Sequence, residues 1–290
     1  MSKYIAVDVG ATKIRIGTFD GEKLTRKVAK GITHEGPIKE IVSYLKNAES
    51  YEGIGIASAG PLNLREGYGV LINFNNLKVN YLKDLKPYGK VYLINDCVAG
   101  LLAESQIGNA KGSKNAVYIT FSTGIGAGVM VDGHVLIGKD GNAHEVGHIV
   151  VNFDEEVVCG CGKYSHWEAY CGGRNIPAFF EKVTGIKVKS AEEAFKLFYD
   201  GVKGSEKFME LCMKINSAGV ASVINAYDPE VVLLSGSVFL NNEALFLEGL
   251  SKYIPRFVTN SMPKIVTARL KEDAVIYGAG ILAKLKGELP

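Results

Sequence analysis

Two strand-like stretches of the chain are each interrupted by a polar, glycine-rich turn and then resume. Residues 4–7 are apolar and lead into the turn at 8–13 (DVGATK), after which apolar residues return at 14, 16 and 19. Residues 117–121 lead in the same way into the turn at 122–128 (STGIGAG), and a further β-prone run follows. Short apolar runs bounded by Gly, Asp and Ser are typical of strands. The pattern therefore predicts strand, turn and return strand in two places.

Both turns have the composition of a phosphate cradle. Glycine lets the backbone approach an oxyanion closely, and the N–H groups of such turns point outward toward it. In the first turn, Asp8 can hold a Mg²⁺ through water, Gly10 permits close approach and Thr12 offers a hydroxyl. Taken alone, this motif is equally well explained by an ordinary tight turn. Its repetition predicts two lobes that close on one polyphosphate.

Other nucleotide-binding motifs fit these segments less well. A dinucleotide-binding GxGxxG lies between a strand and a helix, whereas residues 124–128 lack that spacing and precede β-branched and apolar residues. A Walker loop requires GxxxxGK followed by Ser or Thr, and the sequence contains none.

Helical and strand periods alternate along the rest of the chain. Apolar residues at 38, 41, 42 and 45 follow Pro37 and predict a helix. The final segment, 274–284, is predicted to be a helix that Gly278 and Gly280 interrupt early. The other predicted elements are strands at 51–57, 91–94 and 231–234 and helices at 98–106, about 174–183, 190–200 and 205–226.

The segment 111–114 (KGSK) has the composition of a linker and divides the chain. We expect an N-terminal small lobe at residues 1–108 and a C-terminal large lobe at 109–273, with the helix at about 274–288 packing back on the small lobe. The predicted fold class is α/β.

Composition narrows the class of protein. The chain has 290 residues, 47% of them hydrophobic, with 33 basic and 31 acidic side chains. This balance gives no electrostatic case for nucleic acid or membrane binding, and no apolar stretch reaches the roughly 18–20 residues of a membrane span. Five cysteines in a chain of this length do not indicate a secreted disulfide framework. We expect a cytoplasmic protein without a secretory leader.

Candidate catalytic chemistry begins at Asn95-Asp96, where a predicted strand ends and a helix begins. A carboxylate at this position can accept a proton from an attacking hydroxyl. Position alone favours the alternative that Asp96 is a helix N-cap. Asn76 belongs to a second polar loop whose amides suit sugar hydroxyls, although Asn clusters also simply form turns.

The most specific local pattern is a group of metal-ligand residues. His148, Cys159, Cys161 and His166 can form a tetrahedral N₂S₂ zinc site, and their spacing is too tight for a zinc finger. Glu145 and Glu168 bracket the group, so a structural zinc would hold both carboxylates in place. The alternatives are a loop with free thiols or a disulfide from Cys159 or Cys161 to Cys171. Cys97 and Cys212 lie in apolar stretches and are expected to be buried packing residues.

A third glycine turn, Ser235-Gly236-Ser237, follows the strand at 231–234. Gly236 would let an adenine or ribose lie against the backbone. A simple strand-to-helix turn is an equally good explanation of the sequence here.

Together these motifs resemble the ROK family of sugar kinases, and the resemblance spans nearly the whole chain. Its most specific parts are Glu145-x-Gly-His148 and Cys159-x-Cys-Gly162, with Glu168 shortly after. The resemblance implies the two-lobed hexokinase, actin and Hsp70-like fold, of the ribonuclease H-like type, with a central cleft. It also implies a cytoplasmic homodimer or homotetramer.

The resemblance also implies an ATP-dependent hexokinase or glucokinase that phosphorylates the 6-hydroxyl of glucose or a related hexose with Mg²⁺. Asp96 would be the catalytic base. Alternatives are an actin- or Hsp70-like ATPase and a catalytically weak sugar sensor. The residues implied to bind the sugar are Asn76, Asn95, Asp96, Glu145, His148 and Glu168. Those implied to bind ATP are Asp8, Gly10, Thr12, Lys13, Thr123, Gly124 and Gly236.

The family also holds a zinc with one His and three Cys, and this chain departs from that motif. The third Cys would fall where His166 stands, and a Gly where Ser165 stands. Imidazole is a good zinc ligand, so the substitution is compatible with a structural Zn²⁺ and equally with a site that holds no metal. Repressors of the family carry an N-terminal helix-turn-helix, for which the eight residues up to Asp8 leave no room. The balanced charge also argues against a DNA-binding repressor.

Overall fold

The computed structural model describes residues 2–10, 13–31, 36–153 and 157–290. The chain divides into two compact units. The first comprises Met1–Lys114, Gly128–His144 and Ala268–Pro290, and the second comprises Asn115–Ala127 and Glu145–Thr267. The segment Gly128–His144 thus belongs with the first unit, whereas the lobe boundaries drawn from the sequence place it in the second.

The strands of the described residues confirm the repeated strand-turn-strand pattern. The strands are β1 (Tyr4–Val9), β2 (Lys13–Phe19), β3 (Leu24–Gly31), β4 (Ile54–Ser58), β5 (Leu62–Asn63), β6 (Tyr68–Leu71), β7 (Leu77–Val79), β8 (Val91–Asn95), β9 (Ala116–Phe121), β10 (Ile125–Val131), β11 (His134–Val135), β12 (Val231–Ser235) and β13 (Lys264–Thr267). Gly10 follows β1 directly and β2 begins at Lys13, and the second turn lies at residues 122–124 between β9 and β10.

The predicted helices also form, with ends within two residues of the predicted ones. The helices are α1 (Ile38–Lys46), α2 (Tyr81–Leu85), α3 (Asp96–Ile107), α4 (Trp167–Cys171), α5 (Ile176–Thr184), α6 (Ala191–Tyr199), α7 (Ser205–Tyr227), α8 (Ser237–Leu240), α9 (Glu243–Tyr253) and α10 (Ala274–Lys284). The structure adds helices that the sequence pattern did not predict, namely the short α2, α4 and α8 and the 11-residue α9. None of the described helices is long and apolar enough to span a bilayer.

The first unit is built on a five-stranded sheet of order β3-β2-β1-β4-β8. β2 pairs antiparallel with β1 and β3, while β4 and β8 run parallel to β1. The register places Val9 opposite Ser58 and Ser58 opposite Asn95. The carboxyl ends of β1, β4 and β8 therefore lie level at one edge of the sheet, which is where ligands bind in α/β folds.

Both faces of this sheet are covered, because successive residues of a strand point to opposite sides. On one face Ile5 and Val7 pack with Ile41 of α1 and Leu85 of α2. On the other face the sheet packs on α3 and α10, whose apolar residues form a second cluster with Ala6 and Ala57, including Val98, Leu102, Ile276 and Leu282. The small antiparallel sheet β5-β6-β7 is separate from the large one.

The prediction that Gly278 and Gly280 interrupt the last helix is wrong, because α10 is continuous from Ala274 to Lys284. These glycines allow close packing instead. A Cβ on Gly278 would overlap the backbone carbonyl of Ala99 in α3, and one on Gly280 would lie 2.6 Å from Cγ of Phe19. The close approach of α3 and α10 therefore depends on the missing side chain at position 278.

We expect Gly278→Ala to lower the free energy of unfolding by about 3 kcal/mol, at the upper end of the range for overpacking, because the methyl group meets backbone rather than a movable side chain. Urea denaturation measures the change. Gly31→Ala is the matched control, since a Cβ there has nothing within 4 Å. Equal midpoints for the two variants would contradict the close packing of α3 and α10.

The second unit contains the parallel strands β9, β12 and β13, with β12 in the middle. Thr120 is level with Ser235, so the turns that follow β9 and β12 begin at the same edge. The buried Trp167 of α4 packs edge-on against Phe121, and its Nε1–H donates to Asn216 Oδ1 of α7 at 2.8 Å. These contacts fix α4 in the core beside the end of β9.

Candidate functional site

In the first unit, two carboxylates lie at the carboxyl edge of the sheet. Asp8 is the second-last residue of β1, and Asp96 opens α3 directly after β8. The cap of α3 is Asn95, whose Oδ1 accepts N–H groups of Cys97 at 2.8 Å and Val98 at 3.3 Å. Asn95 rather than Asp96 is therefore the N-cap, and Asp96 Oδ1 also accepts the Cys97 N–H at 2.8 Å. Because Asn95 satisfies the helix end, the Asp96 carboxylate stands at the positive end of the α3 dipole.

The Asp8 carboxyl is buried and paired with Arg15 of β2. Arg15 Nε donates to Asp8 Oδ2 at 2.6 Å, and Nη2 lies 2.5 Å from the same oxygen. Burial raises the pKa of Asp8 to about 6, the Arg15 guanidinium opposes that rise, and the neighbouring Asp96 and Asp273 carboxylates add to it. Asp8 is therefore mostly ionised at pH 7 and gains a proton as the pH falls through about 6.

We expect Arg15→Met to raise the pKa of Asp8 above 6 in Mg²⁺-free protein, because the variant removes the only cation that opposes the effect of burial in the described residues. Carboxyl ¹³C chemical shifts followed from pH 4 to 9 report the titration directly. Arg65→Met removes a cation outside this pair and serves as the control. An Asp8 midpoint that stays the same in Arg15→Met would show that the guanidinium does not hold the carboxylate in its charged form.

Of the remaining predicted residues of this unit, Gly10 and Asn76 lie in turns and Lys13 begins β2. Gly10 donates its N–H to the Lys13 carbonyl at 2.9 Å, which closes the first turn, and the Lys13 side chain is exposed. Asn76 is exposed and left-handed, with φ of 57°. Thr12 lies outside the described residues.

In the second unit, the Glu168 carboxylate lies against the second glycine turn. Ile125 N–H donates to Glu168 Oε2 at 2.8 Å, and a Cβ on Gly124 would overlap the same oxygen. Burial raises the pKa of Glu168, while the Ile125 N–H and the nearby His148 lower it. The absence of a side chain at Gly124 thus lets α4 present Glu168 directly beside Thr123 and Gly124.

The Glu145-x-Gly-His148 motif forms a 3₁₀ turn at Val146–His148, packed on the same segment. A Cβ on Gly147 would overlap the Ile125 carbonyl, so this glycine is required for the close contact. Glu145 Oε2 lies 3.4 Å from His148 Nε2. The structure therefore brings together Glu145, His148 and Glu168 around residues 124–125.

The four predicted zinc ligands also come together. His148 Nδ1 lies 3.0 Å from His166 Nδ1 and 3.9 Å from Cys159 Sγ, and Cys161 Sγ lies 3.3 Å from His166 Nδ1. All four ligand atoms lie within 4.8 Å of one another. Zinc bonds of about 2.0–2.3 Å in a tetrahedron imply ligand separations of about 3.3–3.8 Å. The donor set suits a tetrahedral zinc, and the separations of 3.0, 3.3 and 3.9 Å lie within a few tenths of an ångström of this range.

The backbone around this cluster is locally constrained. Cys159 N–H donates to the Lys163 carbonyl at 2.7 Å and Gly162 N–H to the Cys159 carbonyl at 2.8 Å, so residues 159–163 form a tight hairpin. Ser165 is left-handed, with φ of 60°. This conformation explains why the family motif has Gly at this position, since non-glycine residues adopt it rarely.

The disulfide alternatives are wrong, because all five cysteines are free thiols. Cys171 is buried in α4, with its sulfur 3.6 Å from that of Cys212 in α7. Cys97 and Cys212 are buried, as expected for packing residues.

Gly236 directly follows β12 with φ of 91°, and a Cβ there would overlap the Phe121 carbonyl. Next to it, a cavity of about 240 Å³ lies between α6 and the start of α8. Tyr199 and Asn242 line it, and the Tyr199 hydroxyl donates to Asn242 Oδ1 at 3.0 Å. The sequence did not predict that α6 lines this cavity, because α6 lies about 40 residues before Gly236 and carries no motif that indicates their proximity.

A larger cavity of about 500 Å³ lies in the first unit between β2, β3 and α1. It contains none of the predicted site residues. Its cations are paired with carboxylates: Arg26 with Glu49 at 2.6 Å, Lys27 with Asp273 at 2.5 Å and Lys30 with Glu40 at 2.5 Å. The candidate residues of this unit therefore lie outside the larger cavity.

Comparisons with known proteins agree with the sequence and the fold. The ROK family model matches residues 4–286. A glucokinase of Pyrobaculum calidifontis is 36% identical, over 98% of this chain and 95% of its own, and a glucokinase of Aeropyrum pernix is 34% identical, over 98% and 97%. The crystal structure of a ROK hexokinase from Thermus thermophilus is 32% identical, with a TM-score of 0.86 and 98% of each chain covered.

The predicted fold class is confirmed by these structural neighbours. The family match covers almost the entire chain, and two relatives exceed 30% identity over nearly their full lengths. The chain therefore belongs to the ROK family.

Proposed function

We infer that this protein is an ATP-dependent hexose kinase of the glucokinase type. It transfers the γ-phosphoryl group of ATP to the 6-hydroxyl of glucose or a related hexose. Support comes from near-full-length similarity to proteins named glucokinase. The single structural observation that carries the proposal is the Asp96 carboxylate, which lies at the carboxyl edge of the sheet in the first turn of α3, where Asn95 is the cap and Asp96 Oδ1 accepts the Cys97 N–H at 2.8 Å.

Asp96 is the general base in this proposal. Its carboxylate accepts the proton of the sugar hydroxyl as the oxygen attacks phosphorus. Asn95 holds the start of α3 through its two N–H contacts, so it fixes the direction in which Asp96 points. Positioning and electrostatics supply most of the catalysis, because the transition state of phosphoryl transfer is loose.

The hexose hydroxyls are bound by carboxylate, imidazole and amide groups. Glu168 is held by Ile125 N–H and Glu145 lies beside His148, so both carboxylates are oriented before the sugar arrives. Preorganised polar groups cost little reorganisation on binding. The other proposed sugar contacts are Asn76, Asn95 and Asp96.

The phosphates of ATP lie against the backbone N–H groups of the glycine turns in this proposal. Gly10, Thr12 and Lys13 act in the first turn and Thr123 and Gly124 in the second. Asp8 would hold Mg²⁺ through water, which fits the structure because both Arg15 contacts use Oδ2. A bound Mg²⁺ would supply charge neutralisation for the phosphates. Gly236 and the 240 Å³ cavity beside it would receive the adenosine.

His148, Cys159, Cys161 and His166 would hold a structural zinc, as their ligand spacing supports. Such an ion would fix the hairpin at 159–163 and the His148 ring. Because His148 uses Nδ1 toward the cluster, its Nε2–H is directed to Glu145 at 3.4 Å. Partners of this kind orient a ligating imidazole. The cluster would thus position one of the sugar-binding carboxylates.

Release of ADP, followed with a panel of sugars, tests the proposed function. We expect ADP release to require a hexose, with glucose, mannose, glucosamine and N-acetylglucosamine as the panel. Hydrolysis of ATP at the same rate without sugar would instead indicate an actin- or Hsp70-like ATPase. Tight glucose binding without phosphorylation would indicate a sugar sensor.

The homodimer or homotetramer implied by the resemblance is also part of the proposal. Light scattering coupled to size exclusion measures it. A mass of 31.3 kDa, that of one chain, would contradict the proposed assembly.

A further inference from the structure

The loop that follows α4 lies against the second glycine turn. Gly173 donates its N–H to the Ser122 carbonyl at 2.8 Å, and Arg174 donates its N–H to the Thr123 carbonyl at 3.0 Å. These two bonds fix the backbone of residue 174 beside the turn. The Arg174 side chain therefore leaves the chain at the rim of the turn that is proposed to bind phosphate.

Gly173 also connects this loop to the third glycine turn. A Cβ on Gly173 would lie 2.6 Å from the Ser122 oxygen and 2.9 Å from Cγ2 of Val238. Val238 follows Gly236 by two residues and lines the 240 Å³ cavity. The loop at 172–174 thus lies where the proposed phosphate turn meets the start of α8.

Arg174 places a positive charge at this junction. The residue is exposed, and its guanidinium acts on the neighbouring Glu168, whose pKa it lowers against the effect of burial. A guanidinium offers a planar fork of N–H donors that matches two phosphate oxygens, and it is always charged. Its location and its chemistry both suit a polyphosphate bound at residues 122–124.

We propose that Arg174 binds the β- and γ-phosphate oxygens of ATP and stabilises the charge that develops during transfer. This inference rests on the proposed kinase function. In the step, the bond from the γ-phosphorus to the β,γ-bridging oxygen breaks, and a bond to the hexose hydroxyl oxygen forms. The hydroxyl proton passes to Asp96, and the guanidinium balances the negative charge left on ADP.

Steady-state kinetics and nucleotide binding of Arg174→Gln and Arg174→Lys test this proposal. Loss of a preorganised charged donor is worth roughly 10²-fold in kcat, so we expect that loss for Arg174→Gln. Affinity for ATP and ADP should fall about tenfold, whereas affinity for AMP, which lacks the β- and γ-phosphates, should stay within twofold. Arg174→Lys keeps the charge without the fork and should lose about tenfold in kcat.

Lys187→Gln is the matched control, because Lys187 is an exposed cation of the same unit that pairs with Glu181 at 3.7 Å. It should retain wild-type kinetics. Wild-type kcat and ATP affinity in Arg174→Gln, or in Arg174→Lys if the former does not fold, would overturn the proposal. An equal loss of affinity for ATP and AMP in Arg174→Gln would also overturn the proposal. Absence of sugar-dependent ADP release in the wild-type protein would instead refute the kinase function.

Discussion

Asp96→Asn is expected to lower kcat by roughly 10²–10⁴-fold, because an amide cannot accept the proton of the attacking hydroxyl. The change is almost isosteric, so α3 should still begin at its Asn95 cap. ATP affinity should remain close to wild type, while hexose affinity weakens. Coupled ADP release under saturating substrates measures kcat, and calorimetry measures the two affinities.

Asp84→Asn is the control for this variant, since Asp84 is an exposed carboxylate of α2 in the same unit. It should leave kcat unchanged. Wild-type turnover in Asp96→Asn would refute the assignment of Asp96 as the base. An equal fall in ATP affinity would show that Asp96 acts on the nucleotide instead.

The second large effect is expected from the metal cluster. Cys161→Ser should abolish most zinc binding, because it removes one of the four ligands. Removing a residue that only hydrogen-bonds to a metal ligand already costs about 10–100-fold in metal affinity, and loss of a ligand itself should cost more. Cys161 is exposed, so the substitution leaves the core packing in place. Elemental analysis after dialysis should find about one zinc per wild-type chain and close to none in the variant.

Loss of the cluster should also affect stability and sugar binding. The hairpin at 159–163 and the His148 ring would lose their shared anchor, so we expect a lower thermal midpoint and weaker glucose binding through Glu145. His134→Gln, which replaces an exposed histidine of β11, should change neither. Wild-type protein that retains no zinc, or a Cys161→Ser variant that retains it fully, would contradict the proposed metal site.

Sequence patterns predicted those parts of the structure that depend on local chemistry. The glycine turns at Gly10 and Gly124 require residues that tolerate close approach, and metal ligands such as Cys159 and Cys161 are restricted to a few residue types. Both signals are visible without knowledge of the fold. The strand and helix periods of most longer elements were equally clear, because each buries one or both faces continuously, but the 11-residue helix α9 was not predicted.

What the sequence did not reveal depends on packing between distant segments. Gly278 was read as a helix breaker, but its function is set by Ala99, which lies 179 positions earlier in the chain. The β5-β6-β7 sheet has strands of two to four residues, too short for a clear period. The position of Arg174 beside Thr123 depends on backbone bonds across about 50 residues, and no spacing rule encodes them.

The most direct test is the stoichiometry of product formation with glucose and ATP, followed by ³¹P NMR. We expect one glucose 6-phosphate for each ADP, with no ADP formed when glucose is omitted and both products lost together in Asp96→Asn. Formation of ADP and inorganic phosphate without a phosphorylated sugar would contradict the central claim that this chain is a hexose kinase.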